Sequence, residues 1–156
     1  MVHTKAFMEF LGHALTLSAA NTLTTGEFST PVGKSENLAM LIHKIRLGIN
    51  ATLDSPADGD RIVLQLTKAP KTAIVGWDDP DLIAKLNLDV AWSAGGGYTI
   101  DPVQVEDFVP PILYARSKLY TLGYSVGQTN PNIFNCQVGY TLEKVPANEF
   151  IAALTD

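Results

Sequence analysis

The feature that most restricts this chain is the alternation along Leu38 to Leu53. Leu41, His43, Ile45, Leu47 and Ile49 share one parity, and Lys44, Arg46, Gly48 and Asn50 share the other. Side chains that repeat every second residue, apolar on one side and polar on the other, belong to a long strand with one face on a core and one toward water. The strand runs into Asp54-Ser55-Pro56-Ala57-Asp58-Gly59-Asp60, a cluster of turn formers. The chain then returns as Arg61 to Thr67 with Ile62, Leu64 and Leu66 on one face, which predicts two antiparallel strands.

The same period recurs downstream. Leu86, Leu88, Val90 and Trp92 alternate with Asn87, Asp89, Ala91 and Ser93, after which Gly95-Gly96-Gly97 supplies a turn that tolerates positive φ and Tyr98 to Val105 leads away, a second predicted hairpin. Tyr120, Leu122, Tyr124 and Val126 repeat at period two, as do Phe134, Cys136, Val138, Tyr140 and Leu142, with Thr129-Asn130-Pro131-Asn132 as the loop between them. These parities place His43, Trp92, Tyr124 and Cys136 on inner faces. Two short helices are expected. Asp79 as cap and Pro80 at the first helical position suit a helix over Pro80 to Lys85, and Pro146 to Phe150 opens a second whose Phe150, Ile151 and Leu154 share one face. In the first twenty residues Phe7, Phe10, Leu11 and Ala14 suit a helix whereas Leu15, Leu17 and Ala19 suit a strand, and 1–20 reads as an N-terminal arm.

About eight strands with turn-rich connections and little helix indicate an all-β, two-sheet antiparallel sandwich, with a single jelly roll preferred over an immunoglobulin-like topology. With 156 residues, 46% of them apolar and 17% charged, the chain fits one ordered domain over 1–156 and has apolar surface to offer partner subunits. The formal charge is −5 and no run of Lys or Arg occurs, so the electrostatic footprint of a nucleic-acid binder is missing. Lys5 and Glu9 interrupt what would be a signal-peptide core, and His43, Lys44 and Arg46 interrupt the greasiest stretch, so neither an export signal nor a membrane span is expected. One cysteine, Cys136, excludes an intramolecular disulfide, and its parity makes it a buried, inert thiol.

Candidate chemistry is sparse. Gly123-Tyr124-Ser125-Val126-Gly127 fits the G-x-S-x-G pattern of a hydrolase nucleophile, but a turn rather than a helix follows it, and His3, His13 and His43 all precede Ser125. No H-x-H or H-E-x-x-H pair places two imidazoles on one face, so no enzyme and no cofactor is expected. Asp78, Asp79 and Asp81, like Asp54, Asp58 and Asp60, raise calcium as an alternative, although neither spacing matches an EF-hand and turn or capping roles explain both clusters. Trp77 beside its loop is the best candidate for an exposed sugar-stacking ring, the basis of a lectin-like alternative.

Asp107-Phe108-Val109-Pro110-Pro111-Ile112-Leu113-Tyr114, Leu119-Tyr120, Val138 to Val145 and Glu149 to Leu154 resemble the small single jelly-roll coat proteins of tailless icosahedral viruses, over roughly the C-terminal third. The resemblance implies a virion shell, assembled in the host cytoplasm from copies of this chain, with other capsid proteins as further partners. Many such proteins that package RNA carry a basic N-terminal arm, whereas Met1 to Ala20 holds only Lys5 as a full positive charge, so genome contact is expected elsewhere or in another protein. Exposure arguments nominate Phe7, Phe10, Trp77, Phe150 and Ile151 as subunit contacts.

Overall fold

The computed structural model describes residues 7–17, 21–53, 60–89, 98–100, 103–127 and 132–155. Among these, nine strands and one α-helix follow in the order β1 (Glu9–Leu17), β2 (Thr24–Ser29), β3 (Leu38–Leu53), β4 (Arg61–Thr67), β5 (Leu82–Asp89), β6 (Tyr98–Ile100), β7 (Val103–Tyr114), β8 (Lys118–Val126), β9 (Asn132–Lys144) and α1 (Ala147–Thr155), with a single 3-10 turn at Lys34–Glu36 before β3. One sheet runs β1-β9-β3, with β7 and β6 lying one after the other along the far edge of β3, and the second runs β2-β8-β4-β5. All strand pairs are antiparallel. With β6 and β7 counted as one edge, the first strand pairs with the last, the second with the next to last, the third with β6/β7, and the two central strands β4 and β5 with each other. That nesting is a ribbon of strand pairs folded into two sheets, the eight-stranded jelly roll.

The core lies between the sheets. Ile45, Leu47 and Ile49 of β3, Phe134, Cys136 and Val138 of β9, and Ile62, Leu64 and Leu66 of β4 are all at most 2% exposed. Each such aliphatic or aromatic side chain contributes about 1.5–3 kcal/mol by leaving water. The inward parities of β4 and β9 agree with the sequence pattern. A second, smaller cluster joins Ala39, Ala115 and Val145 to Phe150 and Ala153 of α1, so the terminal helix closes one end of the sandwich.

Several expectations are corrected. The turn-rich segment after β3 joins two sheets rather than two paired strands, because β4 pairs with β5 and β8 while β3 pairs with β9 and β7. The same holds for β5 and the strand after it, which belong to opposite sheets; Trp92 and Gly95 to Gly97 lie outside the described residues. Asp79 to Asp81 form a turn and no helix follows, since Ile83, Ala84 and Leu86 bury themselves as a strand beside β4. Pairing with β4 along Leu82 to Asp89, together with burial of Ile83, Ala84 and Leu86, outweighs the helix-start signal. The N-terminal segment resolves as strand over Glu9–Leu17.

In β3 the alternation slips by one residue between Ile42 and Lys44. Met40 and Ile42 point inward before this bulge and Ile45, Leu47 and Ile49 after it, which leaves His43 half-buried and outside the core row. A bulge of one extra residue lets two apolar runs of opposite parity face the same core. The parity of β8 is reversed: Thr121, Gly123 and Ser125 stand opposite Leu66, Leu64 and Ile62 and face inward, while Tyr120, Leu122 and Tyr124 face outward. The reason is steric. A Cβ at Gly123 would lie 2.1 Å from Leu17 Cδ2, so β1 packs down on β8 where the inward row carries no side chain.

Candidate assembly surfaces

Ser125 is 2% exposed and shares the inward row of Ile62, beyond the reach of a substrate carbonyl. Cys136 is also interior, and burial pushes its thiol up to about 12, which suits the inert role. His43 Nε2 lies 2.8 Å from the Thr141 hydroxyl, a local hydrogen bond across β3 and β9. His13 faces the small sheet and stacks on Phe28, with ring centroids 4.8 Å apart. No group of three or more metal-ligating side chains occurs among the described residues.

The acidic turn is already neutralised in part. Lys71 Nζ lies 3.0 Å from Asp79 and 2.7 Å from Asp81, and the Asp81 backbone amide donates to Asp79 Oδ1 at 2.8 Å. The amide and the ammonium hold the Asp79 carboxyl below its ordinary value, and the two carboxylates raise Lys71. A lysine thus occupies the position between two of the three carboxylates nominated for calcium. Asp78 makes no ion pair among the described residues and stays exposed.

The two outer faces of the sandwich differ. The small sheet is covered by its own connection, residues 68–81: buried Gln65 donates from Nε2 to the Val75 carbonyl at 2.7 Å and accepts from the Val75 amide at 3.0 Å. This clamp explains why Val63, Gln65 and Thr67, on the supposedly wet side of β4, are buried. At the end of the same connection Trp77 stands 68% exposed, with the Lys85 ammonium 5.9 Å from its ring.

The large sheet carries no such cover among the described residues. Across its outer face the registers align Phe10, Gly139, Lys44 and Asp107 in one row, Gly12, Gln137, Arg46 and Val105 in the next, and Ala14, Asn135, Gly48 and Val103 in a third. Gly12 and Ala14 on the edge strand β1 and Gly48 on β3 carry little or no side chain, which opens a trough of about 570 Å³ around Arg46, Asn135 and Gln137. Its flanks hold Phe10, Val103, Val105 and Ile133, between 44% and 55% exposed, and Lys44 is paired with Asp107 at 3.4 Å.

The nominated contacts therefore separate. Phe7, Phe10, Trp77 and Ile151 are exposed, Phe7 most of all at 87%. Phe150 is 3% exposed and packs inside the chain's own terminal cluster, so α1 turns Phe150 and Ala153 inward and Ile151 outward. Val103, Val105, Ile133 and Arg46 were not nominated from sequence. For Ile133 the signal was its parity, opposite to buried Phe134, Cys136 and Val138; for the valines it was their alternation with Gln104 and Glu106.

No family model matches the sequence, and no curated protein matches it. Among solved structures, a chain from tomato aspermy virus is similar with 11% identity and a TM-score of 0.42, covering 88% of this chain and 79% of that one. Dimeric latent PorU from Porphyromonas gingivalis is similar with 10% identity and a TM-score of 0.42 over 92% of this chain, which spans only 14% of that one. Desmodium yellow mottle tymovirus gives 11% identity and a TM-score of 0.37, covering 94% and 93%. The strand order, rather than these likenesses, carries the fold assignment.

Proposed function

We propose that this chain is a structural, non-enzymatic subunit that assembles with copies of itself into the icosahedral shell of a virion, in the host cytoplasm, with other capsid proteins as further partners. The observation that carries the reading is a jelly roll, a fold used by viral shell domains, with exposed apolar side chains flanking an outer face of its large sheet that no described residue covers. Side chains that would otherwise suggest chemistry serve internal roles: Ser125 and Cys136 are interior, and Asp79 and Asp81 hold Lys71. Phe10, Val103, Val105 and Ile133 give that face exposed apolar area that a partner subunit can cover.

The test is size-exclusion chromatography with light scattering on the purified chain across salt and pH, followed by negative-stain imaging. Large closed particles are expected. A chain that stays monomeric under every condition overturns the reading. The exposure of Trp77 supports a second one, a carbohydrate-binding module that stacks a sugar on the indole; a glycan array without any binding, with and without calcium, removes it.

A further inference from the structure

We infer that the turn bearing Trp77 and Asp78 of one copy docks into the trough on the large sheet of the next, a head-to-tail contact with the Asp78 carboxylate on the Arg46 guanidinium. The inference deepens the self-assembly reading and rests on it. Each half is visible in the single chain. On the trough side Arg46, Asn135 and Gln137 line the cavity, and none makes a side-chain hydrogen bond or ion pair among the described residues. Three unpartnered hydrogen-bonding groups converge where Gly12, Ala14 and Gly48 leave room, and Val103 supplies an apolar wall. The trough is an open depression of about 570 Å³ along the sheet, wide enough to take a protruding turn.

The other half is a protrusion of matching chemistry. Trp77 is 68% exposed, and Asp78 beside it makes no ion pair among the described residues while Asp79 and Asp81 are neutralised by Lys71. An indole next to a carboxylate offers a flat apolar plate and an acceptor for a guanidinium, the combination that Arg binds by stacking and by charge-assisted hydrogen bonds. Trp and Arg are also the side chains in which interface energy concentrates. Placement fixes the symmetry. Lys85, under Trp77, is in register with Gln65 on the outer side of the small sheet, whereas the trough lies outside the large sheet. Protrusion and trough thus sit on opposite sides of the sandwich, so the contact is heterologous and repeats from copy to copy, closing into rings where the rotation allows.

Sedimentation velocity and light scattering on the full chain and on W77A, R46D and D78R test this, with far-UV circular dichroism to verify the fold. Each single variant is expected to weaken self-association by about tenfold or more. An equimolar mixture of R46D and D78R is expected to recover assembly, because the intact turn of the first meets the intact trough of the second and the reversed pair is again opposite in sign. Folded single variants that assemble like the wild type overturn the contact and leave self-assembly standing, as does a mixture that fails to recover. A wild-type chain that never associates overturns both.

Discussion

His13 is held where a charge has no partner. Its ring lies on Phe28, 14° from parallel, and its Nε2 is buried without a hydrogen bond, as is the Thr121 hydroxyl; both atoms flank the space over Gly26. The neighbours facing it are Cys136 of β9, Gly26 and Phe28 of β2 and Thr121 of β8, none of them anionic. Burial lowers the His13 pKa below its ordinary 6.5. The folded state therefore binds fewer protons than the unfolded chain just below that value. Stability from this site is fully present above about 6.5 and is lost as pH falls toward the folded-state pKa. Urea titrations at about pH 7 and about pH 5.5 should show a lower midpoint at the acid end, and His13→Gln should reduce the difference. Glycines give a second comparison. Gly123→Ala places a methyl 2.1 Å from Leu17 Cδ2 and 3.3 Å from Leu17 Cγ, and Leu17 is itself 2% exposed. A loss of about 1–3 kcal/mol is expected from overpacking. Gly12→Ala meets nothing within 4 Å and should stay within about 0.5 kcal/mol of wild type. Chemical denaturation of both variants checks the contrast.

At the scale of elements, packing decides which face of a strand is inner. In β4 the apolar parity was legible, yet the opposite parity is buried too, because Gln65 ties the following connection over it through two hydrogen bonds to Val75. Gln65→Ala removes both partners at once and leaves the Val75 amide and carbonyl without them. A stability loss of about 2 kcal/mol or more is expected, with faster proteolysis between Ala69 and Trp77, read by limited digestion and mass spectrometry. In β8 the aromatic residues Tyr120 and Tyr124 made the outer face look like the core face. Their phenol groups sit nearer water on the outer side, while the small residues accept the close approach of β1. The bulge in β3 was legible only in hindsight of the fold: Met40 and Ile42 carry one apolar parity, Ile45, Leu47 and Ile49 the other.

For the whole molecule, nesting of the strand pairs means that the sandwich closes only when the two ends of the chain meet. Glu9–Leu17 pairs with the stretch from Asn132 to Tyr140 along its whole length. Contacts so distant in sequence make folding slow, so refolding from urea followed by Trp fluorescence is expected on the millisecond-to-second scale. Deleting residues 9–17 uncovers the β9 edge and the inward rows of β8, and hydrogen exchange should then show protection lost across both sheets rather than at one edge.

Alternation, turn clusters and a terminal apolar helix face were enough to determine an all-β sandwich with a closing helix, because burial on one side of a strand imposes a period of two on the sequence whatever the strand pairs with. The inward position of Cys136 and the poor context of Ser125 followed from the same period and from chain order. Which strands pair, where β3 slips, and which side of β8 meets the core depended on contacts between residues far apart in sequence, and no local pattern records those. The trough is the clearest case. Gly12, Ala14, Gly48, Arg46, Asn135 and Gln137 are unremarkable along the chain and become one surface only when β1, β9 and β3 lie side by side, since a sheet brings together residues that its own strands keep apart.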